Sequence, residues 1–260
     1  MIRLSVLAVL LGLAAPAWGQ DLEPICADRP GKSNAPCTVA PGHVQIEFGF
    51  DDLSIQHRSG ITTSINDVGG MLAKVGLTDH LDVEAGVNLF QSEREHGTSM
   101  TRTQTGIGDL FLHVKYGMES GRFGLAFDPY VKLPVANDTA GNGKLEGGLA
   151  MPMEVDLGSG WLLGDTLQAD ALANASGSGM HANMSDALGV GKSITDSLTV
   201  GAELWTDENF DPAGTSIQYS AGLELADLLN NDTQIDCGFT FGLDRQTPDF
   251  EIYAGISERF

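Results

Sequence analysis

The chain has almost no long apolar stretch. Past its first twenty residues, nothing approaches the ~18 consecutive apolar residues that a helix needs to cross ~30 Å of hydrocarbon. Positive charge is also scarce: 14 Lys and Arg stand against 35 Asp and Glu, for a net charge of −21. That balance excludes a nucleic-acid partner, because phosphate contacts need cations. Aromatic residues make up only 7%. Cysteines number three and histidines six. None of them falls at zinc-ligand spacing and no HExxH pair occurs, so neither a metal nor a cofactor is expected.

Catalytic motifs are lacking too. Gly31-Lys32-Ser33 and Gly191-Lys192-Ser193 look like P-loop endings, but the earlier glycine a P-loop needs is replaced by Cys26 and Asp186. Gly106-Ile107-Gly108-Asp109 leads into a strand pattern, so it is no dinucleotide fingerprint. Ser178, in Ala175-Ser176-Gly177-Ser178-Gly179, reads as part of a flexible loop and not as a nucleophile. The sequence therefore predicts a protein that is not an enzyme. A barrel hydrolase built around Ser178 is the weakest alternative.

What is abundant is glycine, at 33 residues, and alternation. Leu81, Val83, Ala85, Val87 and Leu89 alternate with Asp82, Glu84, Gly86 and Asn88. Leu110, Leu112, Val114 and Tyr116 alternate around His113 and Lys115. Ile235, Cys237, Phe239, Phe241 and Leu243 do the same. A period of two marks strands with two unlike faces. About twelve such runs follow one another from His43 onward. Tight turns such as Thr78-Asp79-His80 and Gly158-Ser159-Gly160 alternate with longer polar stretches near 51–66, 91–104, 134–145, 173–182 and 206–214. Short turns at one end and long loops at the other are the pattern of an all-β, antiparallel, up-and-down transmembrane barrel. A secreted β-sandwich shares the alternation, but many of its inward positions here would be Gly, Ala or polar.

The chain divides into three parts. Residues 1–19 read as a signal peptide: Arg3, an apolar run from Leu4 to Leu13, then Ala14-Ala15-Pro16-Ala17-Trp18-Gly19. Residues 20–41 carry Pro24, Pro30, Pro36 and Pro41 and read as an extended periplasmic segment. Residues 42–260 form the barrel. Export to an oxidising compartment permits a disulfide between Cys26 and Cys37. The last run, Phe250 to Phe260, places its aromatic end in register with the strand, as outer-membrane barrels do. Phe260 is thus expected to be an assembly signal. Outer-membrane lipid, the barrel-assembly machinery and a small solute are the expected partners.

The face opposite the apolar one supplies the candidate site. Asp82, Glu84, Asp109, His113, Lys115, Asp128, Tyr130, Lys132, Glu203 and Arg259 are predicted to line the lumen. In a narrow barrel such groups pair and fill the interior; in a wider one they line a water path. A non-conducting structural barrel therefore stands beside a channel. If the acidity lines a pore, cations and neutral solutes pass in preference to anions.

Several segments together carry a family likeness. They are Ala27-Asp28-Arg29-Pro30, Cys37-Thr38-Val39-Ala40-Pro41-Gly42-His43-Val44-Gln45-Ile46-Glu47, Gly76-Leu77-Thr78-Asp79-His80-Leu81, Thr105-Gly106-Ile107-Gly108-Asp109-Leu110 and Gly255-Ile256-Ser257-Glu258-Arg259-Phe260. From Ala27 to the end, the chain resembles the MetA-pathway phenol-degradation family of outer-membrane proteins. The resemblance implies an outer-membrane barrel that passes small, often aromatic or hydrophobic, molecules, and it implies no catalytic residues. Glu258 departs from the apolar or aromatic residue usual two positions before a barrel's terminal Phe.

Overall fold

A computed structural model describes residues 22–97, 101–136 and 140–260. The expected signal peptide lies outside the described residues. Thirteen strands make one sheet: β1 (Val44–Arg58), β2 (Ile61–Thr78), β3 (Leu81–Gly97), β4 (Thr101–Gly106), β5 (Leu110–Ser120), β6 (Phe123–Leu133), β7 (Glu146–Gly158), β8 (Trp161–Ala173), β9 (Met180–Ser193), β10 (Leu198–Asn209), β11 (Ser216–Asn230), β12 (Thr233–Gly242) and β13 (Phe250–Arg259). Each pairs antiparallel with its neighbours, and β1 pairs with both β2 and β13, which closes the sheet. Phe260 completes the seam: its N–H donates to the Val44 carbonyl at 2.7 Å, and the Val44 N–H donates back at 3.1 Å.

The barrel has twelve staves, because β4 and β5 are two parts of one. The segment β4 pairs with Gln91–His96 of β3, and β5 pairs with Leu81–Val87. Ile107-Gly108-Asp109 interrupts the stave between them. A β-carbon on Gly108 would stand 3.1 Å from the Asn88 β-carbon, so glycine lets the kinked chain lie against β3.

The polar stretches 51–66 and 91–104 were expected as loops. Instead β1 and β2 run on to a two-residue turn, Ser59-Gly60, and β3 and β4 extend through most of 91–104. Both turn residues have positive φ, 49° and 79°, the backbone that matches the twist of a hairpin. Ladder hydrogen bonds need no apolar side chain. Once a strand leaves lipid, both faces are wet, and the alternation fades while the pairing continues.

The burial pattern is that of a soluble protein turned inside out. Among the described residues only six hydrophobic side chains are buried, while Lys74, Lys115, Gln45, Glu47 and Asp82 are among the most deeply buried of all. The exposed face instead carries Leu112, Val114, Leu188, Leu204, Leu223, Leu225 and Ile252. At the short-turn rim Tyr116, Phe123, Trp161 and Phe260 are exposed; Phe90, Tyr219 and Phe241 mark the other margin. An apolar band flanked by aromatic girdles is how a barrel meets a bilayer. Cys237 is free and lies on this outer face, opposite Leu225. Among the described residues no helix is long and apolar enough to cross a membrane.

Candidate functional site

Residues 22–41 correct the expectation of an extended periplasmic segment. They fold into the barrel from the short-turn end, as a loop closed by the Cys26–Cys37 disulfide, whose Cα atoms are 5.9 Å apart. The segment has no regular structure, so its backbone groups need partners from the wall. The wall supplies them. Asp28 N–H donates to Glu47 at 3.1 Å. Lys32 and Ser33 N–H donate to Glu203 at 2.9 and 2.7 Å. Asn34 N–H donates to Thr166 Oγ1 at 2.8 Å, and Val39 N–H to Asp82 at 3.0 Å.

Ion pairs hold the loop more tightly. Asp28 accepts from Lys74 Nζ at 2.6 Å and from Lys115 Nζ at 2.7 Å. Lys74 also meets Glu47 at 2.6 Å. Arg29 forks onto Asp236 at 2.9 Å, and Lys32 reaches Glu251 at 3.1 Å. Burial alone would push the Asp28 carboxyl up; the ammoniums of Lys115 and Lys74 outweigh it and hold the group well below the usual carboxylate range.

The glycines of the wall make room for this plug. A β-carbon on Gly117 would lie 2.6 Å from the Pro36 carbonyl oxygen, and one on Gly255 would lie 2.6 Å from Arg29 Nε. One on Gly76 would meet the carbonyls of Val39 and Ala40. These wall glycines are therefore space for the loop, at positions where a strand would otherwise prefer a larger residue.

All ten predicted lumen residues face the interior. Asp82, Glu84, Asp109, Lys115, Asp128, Lys132, Glu203 and Arg259 are buried; His113 and Tyr130 are partly exposed to it. The fold sorts them into separate groups. Lys115 binds the plug and Glu203 caps its tip. Lys132 bridges Asp109 at 3.3 Å and Glu146 at 2.5 Å. Tyr130 donates to Asp170 at 2.8 Å, and its ring stacks on His113 at 5.2 Å. Glu84, His113 and Asp128 come together on three neighbouring staves, with one ligand atom of each within 4.8 Å of the others. Arg259 joins Asp232 at 2.7 Å and the Glu23 carbonyl at 2.9 Å at the short-turn rim.

The sequence reading missed Asp28, Arg29, Glu47 and Lys74. Lys74 sits between Ala73 and Val75 in an alternating run, so its inward direction was available. Nothing in residues 27–33 announced that they would fold back inside. Ser178 lies in the 174–179 loop, where its carbonyl accepts from Asn174 and Ser176.

Two cavities flank the plug. One of about 490 Å³ is lined by Arg29, Asp52, Asp67, Asn88, Phe111 and His113, among others. Another of about 900 Å³, at the short-turn end, is lined by Pro36–Pro41, His43, His80 and Glu119.

The structure is similar to three solved barrels. The COG4313 outer membrane channel from Pseudomonas putida F1 superposes with a TM-score of 0.67 at 14% identity, covering 89% of this chain and 99% of that one. The translocator domain of autotransporter NalP from Neisseria meningitidis gives 0.52 at 12% identity, with 84% and 88% covered. KdgM porin, in complex with disordered oligogalacturonate, gives 0.52 at 7% identity, with 84% and 99% covered. At these identities the likeness is one of fold, and the fold is that of outer-membrane barrels. Among curated proteins no match is found. The sequence profile of one family matches residues 27–260, which takes in most of the plug as well as every strand, and the chain belongs to that family, described as "Putative MetA-pathway of phenol degradation".

Proposed function

We propose that the protein is an outer-membrane channel for small molecules, narrowed by its own N-terminal plug. The observation that carries this reading is a cavity of about 490 Å³, bearing several charged side chains, inside a barrel whose outer face is apolar. The barrel is reached by export and lies in the outer membrane, where the aromatic girdles meet the interfaces. Asp52, Asp67 and Asp109 line the cavity against Arg29 and Lys132. Their excess of negative charge favours cations and neutral solutes over anions. The rings of Phe111 and His113 offer faces to a planar solute, and the family description points toward aromatic compounds.

The same ion pairs support a second reading, a barrel held shut for a structural role. Planar-bilayer recording separates the two. Wild-type protein should pass small currents with a preference for cations, and protein lacking residues 22–41 should pass larger ones. If the plug-free barrel folds, as judged by heat-modifiable migration in gels, and still passes no ion or solute, the channel reading fails.

A further inference from the structure

We infer that Glu84, His113 and Asp128 form a binding site for a divalent transition-metal cation on the lumen wall. The three side chains come from β3, β5 and β6. Glu84 and His113 face each other directly across the ladder. His113 Nδ1 is 3.2 Å from Asp128 Oδ2, and one ligand atom of each residue lies within 4.8 Å of the other two. A cation with bonds near 2.1 Å holds its ligand atoms roughly 3–4 Å apart, so small side-chain rotations close the set.

The electrostatics favour a cation. Glu84 is 4% exposed, and its Oε1 accepts no hydrogen bond. A buried carboxylate oxygen with no hydrogen-bond donor and only a long ion pair is under-compensated for its burial. The nearest ammonium, Lys115 Nζ, stands 3.7 Å away and is engaged at 2.7 Å by Asp28. Lys74 is likewise held by Asp28 and Glu47. Both lysines thus already have a carboxylate in close contact. Asp128 is 2% exposed and meets only His113 among the ion pairs of the described residues.

The donor set selects the ion. One imidazole nitrogen with two carboxylate oxygens suits Zn²⁺, Mn²⁺ or Fe²⁺, whereas Ca²⁺ and Mg²⁺ prefer all-oxygen shells. Positions beyond these three ligands would be filled by water from the adjoining cavity, which His113 also lines. The stacked Tyr130 ring, 5.2 Å from the imidazole, fixes its plane. No linear motif could show this site, since the ligands lie far apart in sequence and adjacent across the sheet.

The test is a calorimetric titration of the folded, detergent-solubilised full-length barrel with ZnCl₂, with CaCl₂ as the control. One Zn²⁺ per barrel is expected, with no comparable Ca²⁺ binding. His113→Ala should weaken that binding by about tenfold or more, and Glu84→Gln and Asp128→Asn should weaken it as well. His181→Ala, altering a histidine near the long loops, should leave it unchanged. Folding of each variant is checked by heat-modifiable migration. If His113→Ala does not fold, Co²⁺ loaded into the wild type supplies the second readout: its visible spectrum should report one nitrogen ligand, and a spectrum of oxygen ligands alone would overturn the site. Absence of stoichiometric Zn²⁺ binding to the wild type, or binding unaffected by a folded His113→Ala, would also overturn it. Binding needs no flux, so a non-conducting barrel would leave this result intact.

Discussion

Asp28 is the residue on which the plug turns. Its carboxylate is shared by two buried ammoniums, Lys74 and Lys115. Replacing it with Asn removes that shared charge, leaving Lys74 with Glu47 alone and Lys115 with only Glu84 at 3.7 Å. Removing one member of a buried ion pair typically costs about 3–5 kcal/mol. Asp28→Asn should therefore lower the thermal stability of the plugged state and raise single-channel current, both measurable on one purified sample. The pH dependence follows from the depressed Asp28 pKa. A carboxylate held below its ordinary value near 3.9 contributes stability above that pH and loses it as pH falls toward the folded value. The Asp28 contribution to plug retention should consequently be lost only under strongly acidic conditions, and Asp28→Asn should abolish that part of the pH dependence. Cys237 tests the outer face in the same way. It should resist a water-soluble maleimide in membranes and react with a lipid-soluble one; rapid labelling by the water-soluble reagent would contradict its placement against lipid.

At the scale of elements, the plug and the wall are matched pieces. The loop between Cys26 and Cys37 spans a sequence separation of 11. Closing a loop of about this length stabilises by roughly 3 kcal/mol, in the chain-entropy view. The double change Cys26→Ser and Cys37→Ser should leave the barrel folded yet increase conductance, as should a reducing agent that reaches the loop. The wall glycines make a sharper test. Gly117→Val would bring a side chain against the Pro36 carbonyl, and the strand would tolerate it while the plug would not. The expected outcome is an unchanged barrel by gel migration with a more open channel in bilayers. The strands themselves were legible where lipid imposed a period of two. They were not legible in 51–66 and 91–104, where Thr62, Thr63, Ser64, Gln91, Ser92 and Glu93 pair across a ladder with no apolar face to reveal it. The Gly106–Asp109 segment showed the same limit: Gly108 proved to sit at the kink that lets β4 and β5 share one stave.

For the whole molecule, closure decides everything. The Val44–Phe260 hydrogen bonds join the first and last strands, so no edge is left in lipid. Deleting Phe260 should reduce the fraction of protein reaching the outer membrane, measured by membrane fractionation and heat-modifiable migration; normal assembly of that variant would remove its role as an assembly signal. Glu258, exposed two positions before it, points to the rim and not to the lumen. The alternation of the chain was sufficient for an all-β barrel and for twelve staves, because a pleated strand sends successive residues to opposite faces whatever its partners are. Only the tertiary structure could decide that residues 22–41 occupy the lumen, that Asp28 sits between Lys74 and Lys115, and that Glu84, His113 and Asp128 share one spot on the wall. Those contacts join residues far apart along the chain. They are set by sheet register and barrel curvature, which bring three staves side by side and enclose a space that an irregular, disulfide-closed loop can fill.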